Sequence, residues 1–225
     1  MAIVCTKFFS NCLRRTVPFM AILPNDGGFD KFGNPEFETG KMRCLYLLHG
    51  YTGDETDYLA NTRIRELSRK YKIAVIMPDG DNSFYVDNVA EKRFFGEYVG
   101  EELIQYTRRL FHLSEKREDT FIGGLSMGGY GAMRNGLKYA HNFSRIFALS
   151  GAYVPVRIAE NGGIPENDGV SDEEFQCRVF GDPQKIEGSD LDPRYIYGQL
   201  KKKGEKIPQI YMAEGSEDML LKENH

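Results

Sequence analysis

The sequence predicts an α/β protein: a mainly parallel sheet with helices on both faces. Three observations carry this. Short apolar runs recur along the chain without the in–out alternation of half-exposed strands, as expected of strands covered on both sides. Segments with helical spacing separate these runs. Clusters of Gly, Pro, Asn and Asp stand at the boundaries between them.

Residues 6–10 and 16–23 read as an antiparallel strand pair, closed by Pro24-Asn25-Asp26-Gly27-Gly28. Residues 29–41, rich in Gly, Pro and Asn, read as a long loop. Residues 42–48 form a buried strand that stops at His49-Gly50, and a helix over 57–71 leads to a second buried strand, 73–77. Val99, Leu103, Ile104, Tyr106, Leu110 and Phe111 give 96–111 a helical face. A third strand at 120–123, a helix over 127–139 and a fourth strand at 143–150 follow. Residues 154–206 contain no convincing buried strand but predict helices near 171–180 and 193–203. A fifth buried run, 207–213, comes last.

Composition narrows the function classes. A chain of 225 residues fits one domain. With 29 basic and 33 acidic residues the formal net charge is −4, which argues against a nucleic-acid or anionic-membrane partner. The longest apolar run, 17–23, contains Pro18 and is far short of the ~20 residues that span a bilayer. Cys5, Cys12, Cys44 and Cys177 form no C-x-x-C pair, and the 4 histidines show no ligand spacing, so no metal is expected. No leader segment is legible near the N-terminus, and the expected compartment is the cytoplasm.

Ligands of parallel sheets bind beyond the carboxyl ends of the strands. Here those ends are His49-Gly50-Tyr51, Pro78-Asp79-Gly80, Gly124-Leu125-Ser126, Gly151-Ala152-Tyr153, and Glu214 to Asp218. Gly124-Leu125-Ser126-Met127-Gly128 is the sharpest of them. A serine raised on a tight strand-to-helix turn needs glycines two residues before and after it, and the helix that follows aims unpaired N–H groups at the site. Ser126 is the candidate nucleophile. A tetrahedral oxyanion would need two backbone donors, assigned to the N–H groups of Met127 and Tyr51. His49, on the turn before Tyr51, reads as structural rather than as a base. Asp218 is the candidate acid that orients a histidine, with Glu214 and Glu217 as competitors. Phe84, Tyr85 and Tyr153 could line an aromatic slot, although rings at strand ends more often simply pack. The acidic segment 161–174 reads as a solvated loop that could repel anionic substrates.

Residues 45–53, Pro78-Asp79-Gly80, the segment 116–122 and above all Gly124-Leu125-Ser126-Met127-Gly128-Gly129-Tyr130-Gly131 resemble the esterase-D-like branch of the α/β hydrolases. That branch includes tributyrin and acetyl esterases, feruloyl esterases and S-formylglutathione hydrolases, and the bacterial tributyrin-esterase type is the most similar. The resemblance implies a Ser-Asp-His triad and hydrolysis of small-molecule acyl esters without a cofactor. It also implies an insert over the site, which here would be residues 154–206.

One departure stands out. In that branch the histidine follows the acid by a further helix and strand, in a Gly-x-His context. If the segment after Asp218 is helical, His225 lies ~10 Å along its axis, beyond hydrogen-bond reach of about 3 Å. His112 and His141 fall at no strand's carboxyl end. The expectation is therefore that the C-terminal strand and helix are missing from these residues and that the catalytic histidine is supplied beyond position 225. The strand at 207–213 should then present an open edge prone to association. Two other readings follow: a thioesterase of the S-formylglutathione type, and a hydrolase-like binding protein without the base. Oligomeric state is not legible.

Overall fold

The protein is described here as a computed structural model covering residues 1–29, 32, 35–37, 40–161 and 173–224. Seven strands form the main sheet: β1 (Ala2–Ser10), β2 (Arg15–Leu23), β3 (Arg43–Leu48), β4 (Ile73–Pro78), β5 (Thr120–Leu125), β6 (Arg145–Leu149) and β7 (Gln209–Ala213). Their spatial order is β1-β2-β4-β3-β5-β6-β7. β1, β2 and β4 pair antiparallel, and every pairing from β4 to β7 is parallel, so the carboxyl ends of β3 to β7 share one side. The predicted α/β architecture is borne out.

Several boundaries differ from the expectation. Residues 29–41 are not wholly loop, because Asp26–Phe29 pairs with Pro35–Phe37 in a small hairpin. The single helix expected over 57–71 is two helices, α1 (Asp57–Asn61) and α2 (Ile64–Tyr71). Thr62 makes the break. It is extended, its hydroxyl donates to the Tyr58 carbonyl at 2.6 Å, and the same oxygen accepts from the Ile64 N–H at 3.1 Å. One side chain thus ends the first helix and starts the second. The helix expected at 96–111 begins at Phe95–Glu97, widens into a π-turn at Tyr98–Glu102 and continues as α3 (Leu103–Leu110). Glu102, at the end of that turn, accepts from the Ser10 hydroxyl and from the Asn11 N–H at 2.7 Å, so it ties the β1–β2 turn to the helix.

Helix α4 (Met127–Lys138) is the spine of the molecule, buried from Met127 to Leu137. It packs with α3 against the face of the sheet that presents Tyr46, Leu48, Ile122, Ile146 and Ala148. On the opposite face, Ile22, Leu47, Val75 and Met77 are covered by Tyr58, Leu59 and Ile64 of α1 and α2. That cover does not extend to β5, β6 and β7. Leu125, Leu149 and Tyr211 on that face are 45%, 37% and 57% exposed.

The run at 207–213 was expected to be buried, yet β7 is exposed from Gln209 to Met212. Among the described residues no strand pairs with its outer side. An apolar groove of about 550 Å³ runs along it, lined by Met133, Tyr153, Pro193, Tyr197, Ile210 and Met212.

The insert holds the two helices expected, α6 (Glu173–Phe180) and α7 (Pro193–Lys203), plus an unexpected one, α5 (Val154–Glu160). The acidic segment at 161–174 lies largely outside the described residues. Polar side chains of α4 fasten the far part of the insert. Arg134, 1% exposed, bonds the Asp190 carboxylate at 2.5 Å and its carbonyl at 3.0 Å. Lys138 bridges Asp87 and Asp190 at 2.9 and 2.7 Å, and the Tyr130 hydroxyl donates to the Leu191 carbonyl at 2.8 Å.

Candidate active site

Ser126 occupies the turn between β5 and α4 with φ 56° and ψ −120°, a conformation L-residues avoid. The turn is held on all sides. The Ser126 N–H donates to the Leu149 carbonyl at 2.9 Å, and its carbonyl accepts from Tyr130 at 3.0 Å and Ala152 at 3.1 Å. Crowding explains the flanking glycines. A β-carbon at Gly124 would lie 2.3 Å from the Gly128 carbonyl oxygen, and one at Gly128 would lie 2.1 Å from the Leu48 carbonyl oxygen. The Ser126 side chain remains partly exposed, at the N-terminus of a 12-residue helix whose dipole favours negative charge there.

The loop after β3 lies against this turn: a β-carbon on Gly50 would stand 3.7 Å from the Ser126 β-carbon. Three successive carbonyls at its start are tied back. The Tyr58 hydroxyl donates to Leu48 O at 2.9 Å, and the Tyr85 hydroxyl donates to His49 O at 3.1 Å. Gly50 O meets His49 Nδ1 at 2.8 Å and accepts from the Gly53 N–H at 3.1 Å. Among the described residues, the N–H groups of Tyr51 and Met127 have no hydrogen-bond partner. Such donors, on either side of one serine, are the chemistry an oxyanion requires.

Asp218 stands beyond β7. The Ser150 hydroxyl and the Leu220 N–H, the latter at 2.8 Å, hold its carboxyl below the usual range. Ser150, at φ 43°, in turn donates its N–H to the Ala213 carbonyl at 2.8 Å, so the acid sits where the ends of β6 and β7 meet. None of the described histidines is free to act as base here. His49 is buried with both ring nitrogens engaged by backbone groups. His112 is exposed after α3, and exposed His141 pairs with Glu101 at 2.5 Å. His225 lies outside the described residues.

Phe84 and Tyr85 are 1% and 0% exposed, so these two rings are packing, as rings at strand ends more often are. Tyr153, 7% exposed, lines the groove along β7. A cavity of about 330 Å³ adjoins Tyr51, lined also by Asn82, Arg93, Phe95, Phe175 and Arg178. Phe175 of the insert meets the Tyr51 ring edge-on at 5.5 Å. Sequence reasoning missed Asn82, whose side chain accepts from the Thr52 N–H at 2.8 Å; its place just past Pro78-Asp79-Gly80 was the available signal. Among the described residues no cluster of His, Cys, Asp or Glu could hold a metal, and no helix is long and apolar enough to cross a membrane.

The sheet order, the strained serine turn and the buried helix behind it define an α/β-fold serine hydrolase. The family model Esterase, described as "Putative esterase", matches residues 10–185. The acetyl esterase of Caldicellulosiruptor saccharolyticus is 46% identical over 226 residues, covering 100% of this chain and 84% of that protein. The chain belongs to this esterase family and is an enzyme of the ester-hydrolase class. Two solved structures from Staphylococcus aureus superpose over 99% of the chain. FphF, a fluorophosphonate-binding serine hydrolase in its substrate-bound form, gives a TM-score of 0.82 at 28% identity, with 82% of its length covered. The S-formylglutathione hydrolase FrmB gives 0.79 at 27%, with 83% covered.

Proposed function

We propose that the protein hydrolyses short-chain acyl esters, acetyl esters foremost, through an acyl-enzyme on Ser126. The observation that carries the reading is the Ser126 turn, with the Tyr51 and Met127 N–H groups left without partners around it. Ser126 Oγ attacks the ester carbonyl and passes its proton to a histidine. The tetrahedral oxyanion accepts hydrogen bonds from Tyr51 and Met127. The C–O bond then breaks, the histidine returns the proton to the departing alcohol, and water releases the acid by the same steps. Asp218 orients that histidine, which lies outside the described residues; the engagement of His49 and the exposure of His112 and His141 support this. Residues 154–206 act as the insert over the site, a role supported by Phe175 resting on Tyr51.

The 46% identity to a protein named an acetyl esterase supports the acetyl preference over a feruloyl one. The burial of Phe84 and Tyr85 points the same way, since it removes two of the rings that would have gripped a feruloyl group. A thioester substrate is the second reading, favoured by the likeness to FrmB at 27% identity. The test compares p-nitrophenyl esters from acetyl to decanoyl, methyl ferulate and S-formylglutathione, using the gene product with its natural C-terminus. The highest kcat/KM is expected on acetyl or butyryl esters, and Ser126→Ala should abolish both turnover and fluorophosphonate labelling. Turnover that survives in Ser126→Ala would refute the mechanism, and a thousandfold preference for S-formylglutathione would establish the second reading.

A further inference from the structure

His49 is 1% exposed, and the hydrolytic steps above leave it idle. Its ring is gripped from two sides. The Gly80 N–H points at Nε2 at 2.8 Å. A backbone amide can only donate, so Nε2 carries no proton and the ring is the neutral Nδ1–H tautomer. Nδ1–H therefore donates to the Gly50 carbonyl at 2.8 Å. A trans peptide holds its C=O and N–H on opposite sides of the bond, and no peptide among the described residues is cis. With the Gly50 oxygen drawn toward the imidazole and the Gly53 N–H, the Tyr51 N–H of the same peptide is turned the other way.

We propose that His49 is a positioning residue of the oxyanion site: it fixes the Gly50–Tyr51 peptide plane, and so aims the Tyr51 N–H at the oxyanion formed on Ser126. The role rests on the reading of Ser126 and Tyr51 given above and adds the element that sets the donor's direction. It also explains why the other carbonyls of the loop are anchored independently. Tyr58 holds Leu48 O and Tyr85 holds His49 O, which leaves the Gly50 peptide as the one that the imidazole sets. The nearest carboxylate, Asp79, stands 3.9 Å from Nε2, beyond hydrogen-bond reach, so the ring is oriented by amides rather than by an acid.

Two substitutions separate the two bonds. In His49→Asn the amide N–H falls near the Nδ1 position and can still donate to Gly50 O. In His49→Gln the amide reaches the Nε2 position, accepts from Gly80 and loses the Gly50 bond. Active sites are counted by fluorophosphonate titration to completion, and kcat is expressed per titrated site. A role confined to folding would change the titrated fraction but not this kcat. His49→Gln is expected to lose about 100-fold in kcat, the scale of one oxyanion donor, with KM within about threefold. His49→Asn is expected to stay within about tenfold of wild type. A boronic acid that forms a tetrahedral adduct should weaken in proportion to kcat.

A kcat for His49→Gln equal to or above that of His49→Asn overturns the proposal. So does an Nε2–H tautomer for His49 in nitrogen-edited NMR spectra of the wild-type protein, a test that needs no variant to fold. Wild-type turnover in Ser126→Ala would refute the underlying site reading. An inert Ser126→Ala beside an unimpaired His49→Gln would refute this role alone.

Discussion

Gly128 lies so close to Leu48 that a β-carbon on it would sit 2.1 Å from the Leu48 carbonyl oxygen. Both groups are backbone, one at the start of α4 and the other at the end of β3, so no side chain can rotate to make room. Gly128→Ala must push the helix N-terminus away from the strand. A loss of about 3 kcal/mol is expected in urea unfolding, together with at least tenfold lower ester hydrolysis as the Met127 N–H moves. An alanine variant within about 1 kcal/mol of wild type would show that the turn has slack.

Ser126 is held at φ 56°, where any residue with a β-carbon is strained. Ser126→Ala and Ser126→Gly should both lose at least about a thousandfold in turnover. They should differ in stability. Glycine relieves the strain that alanine retains, and Ser126→Gly is expected to unfold about 1 kcal/mol later than Ser126→Ala in matched urea titrations. Equal stability would limit the strain to about 1 kcal/mol, the scale of the entropy that glycine adds to the unfolded chain.

Asp218→Asn should leave folding intact and lower kcat by about 10³–10⁴, since an amide cannot hold an imidazole in the required tautomer. Glu217→Gln, its neighbour, should stay within twofold of wild type. If the glutamine variant is the impaired one, the acid has been misassigned.

The Arg134 cluster predicts an acid limb in stability. Burial pushes the Asp87 and Asp190 carboxyls up, but Arg134 and Lys138 outweigh it and hold both below their ordinary value of 3.8. A depressed folded-state pKa gives stability that is complete above the unfolded value, so it is constant from pH 7 to about 5. It fades as pH falls through 4 toward the lower native values, because the unfolded chain takes up the protons first. Arg134→Leu strips both carboxylates of a buried partner. It should cost about 3 kcal/mol at pH 7 and flatten that limb, read from urea midpoints between pH 3.5 and 7. An unchanged limb would place the acid sensitivity elsewhere.

Tyr211, 57% exposed on β7, whose outer side pairs with no strand among the described residues, predicts association of the 225-residue chain when made alone. Light scattering behind a sizing column should find dimers or larger species. Tyr211→Lys should shift them toward monomer, because a charge on an edge strand disfavours pairing with another chain. A monodisperse wild-type monomer would contradict this.

What the sequence revealed and what it hid divides along physical lines. Local periodicity and turn chemistry were legible: the parallel strands as apolar runs, and the serine turn because its two glycines flank the serine within five residues, although the crowding they answer to includes the distant Leu48 carbonyl. Helix α7 was placed to the residue, by Pro193 at its start and Gly204 in the left-handed conformation at its end. The break at Thr62 was hidden because no glycine or proline marks it. Helix α5 was missed although Pro155 stands in its first turn, where proline needs no N–H partner. The role of Arg134 was hidden, since its partner Asp190 lies 56 residues away and no local pattern announces it. The exposure of β7 was likewise unreadable from its own apolar residues, because burial there depends on what lies beside the strand.

The carboxylate at the end of the π-turn has a bearing on how the molecule breathes. Glu102 grips the tip of the N-terminal hairpin from a residue 91 positions along the chain. The hairpin borders the sheet, where fraying would ordinarily start, yet opening its tip requires letting go of a helix rooted in the centre. The amide protons of Asn11 and Cys12 should therefore exchange with solvent only in the rare events that also disturb the interior, and during synthesis β1 would be secured only once that helix has arrived.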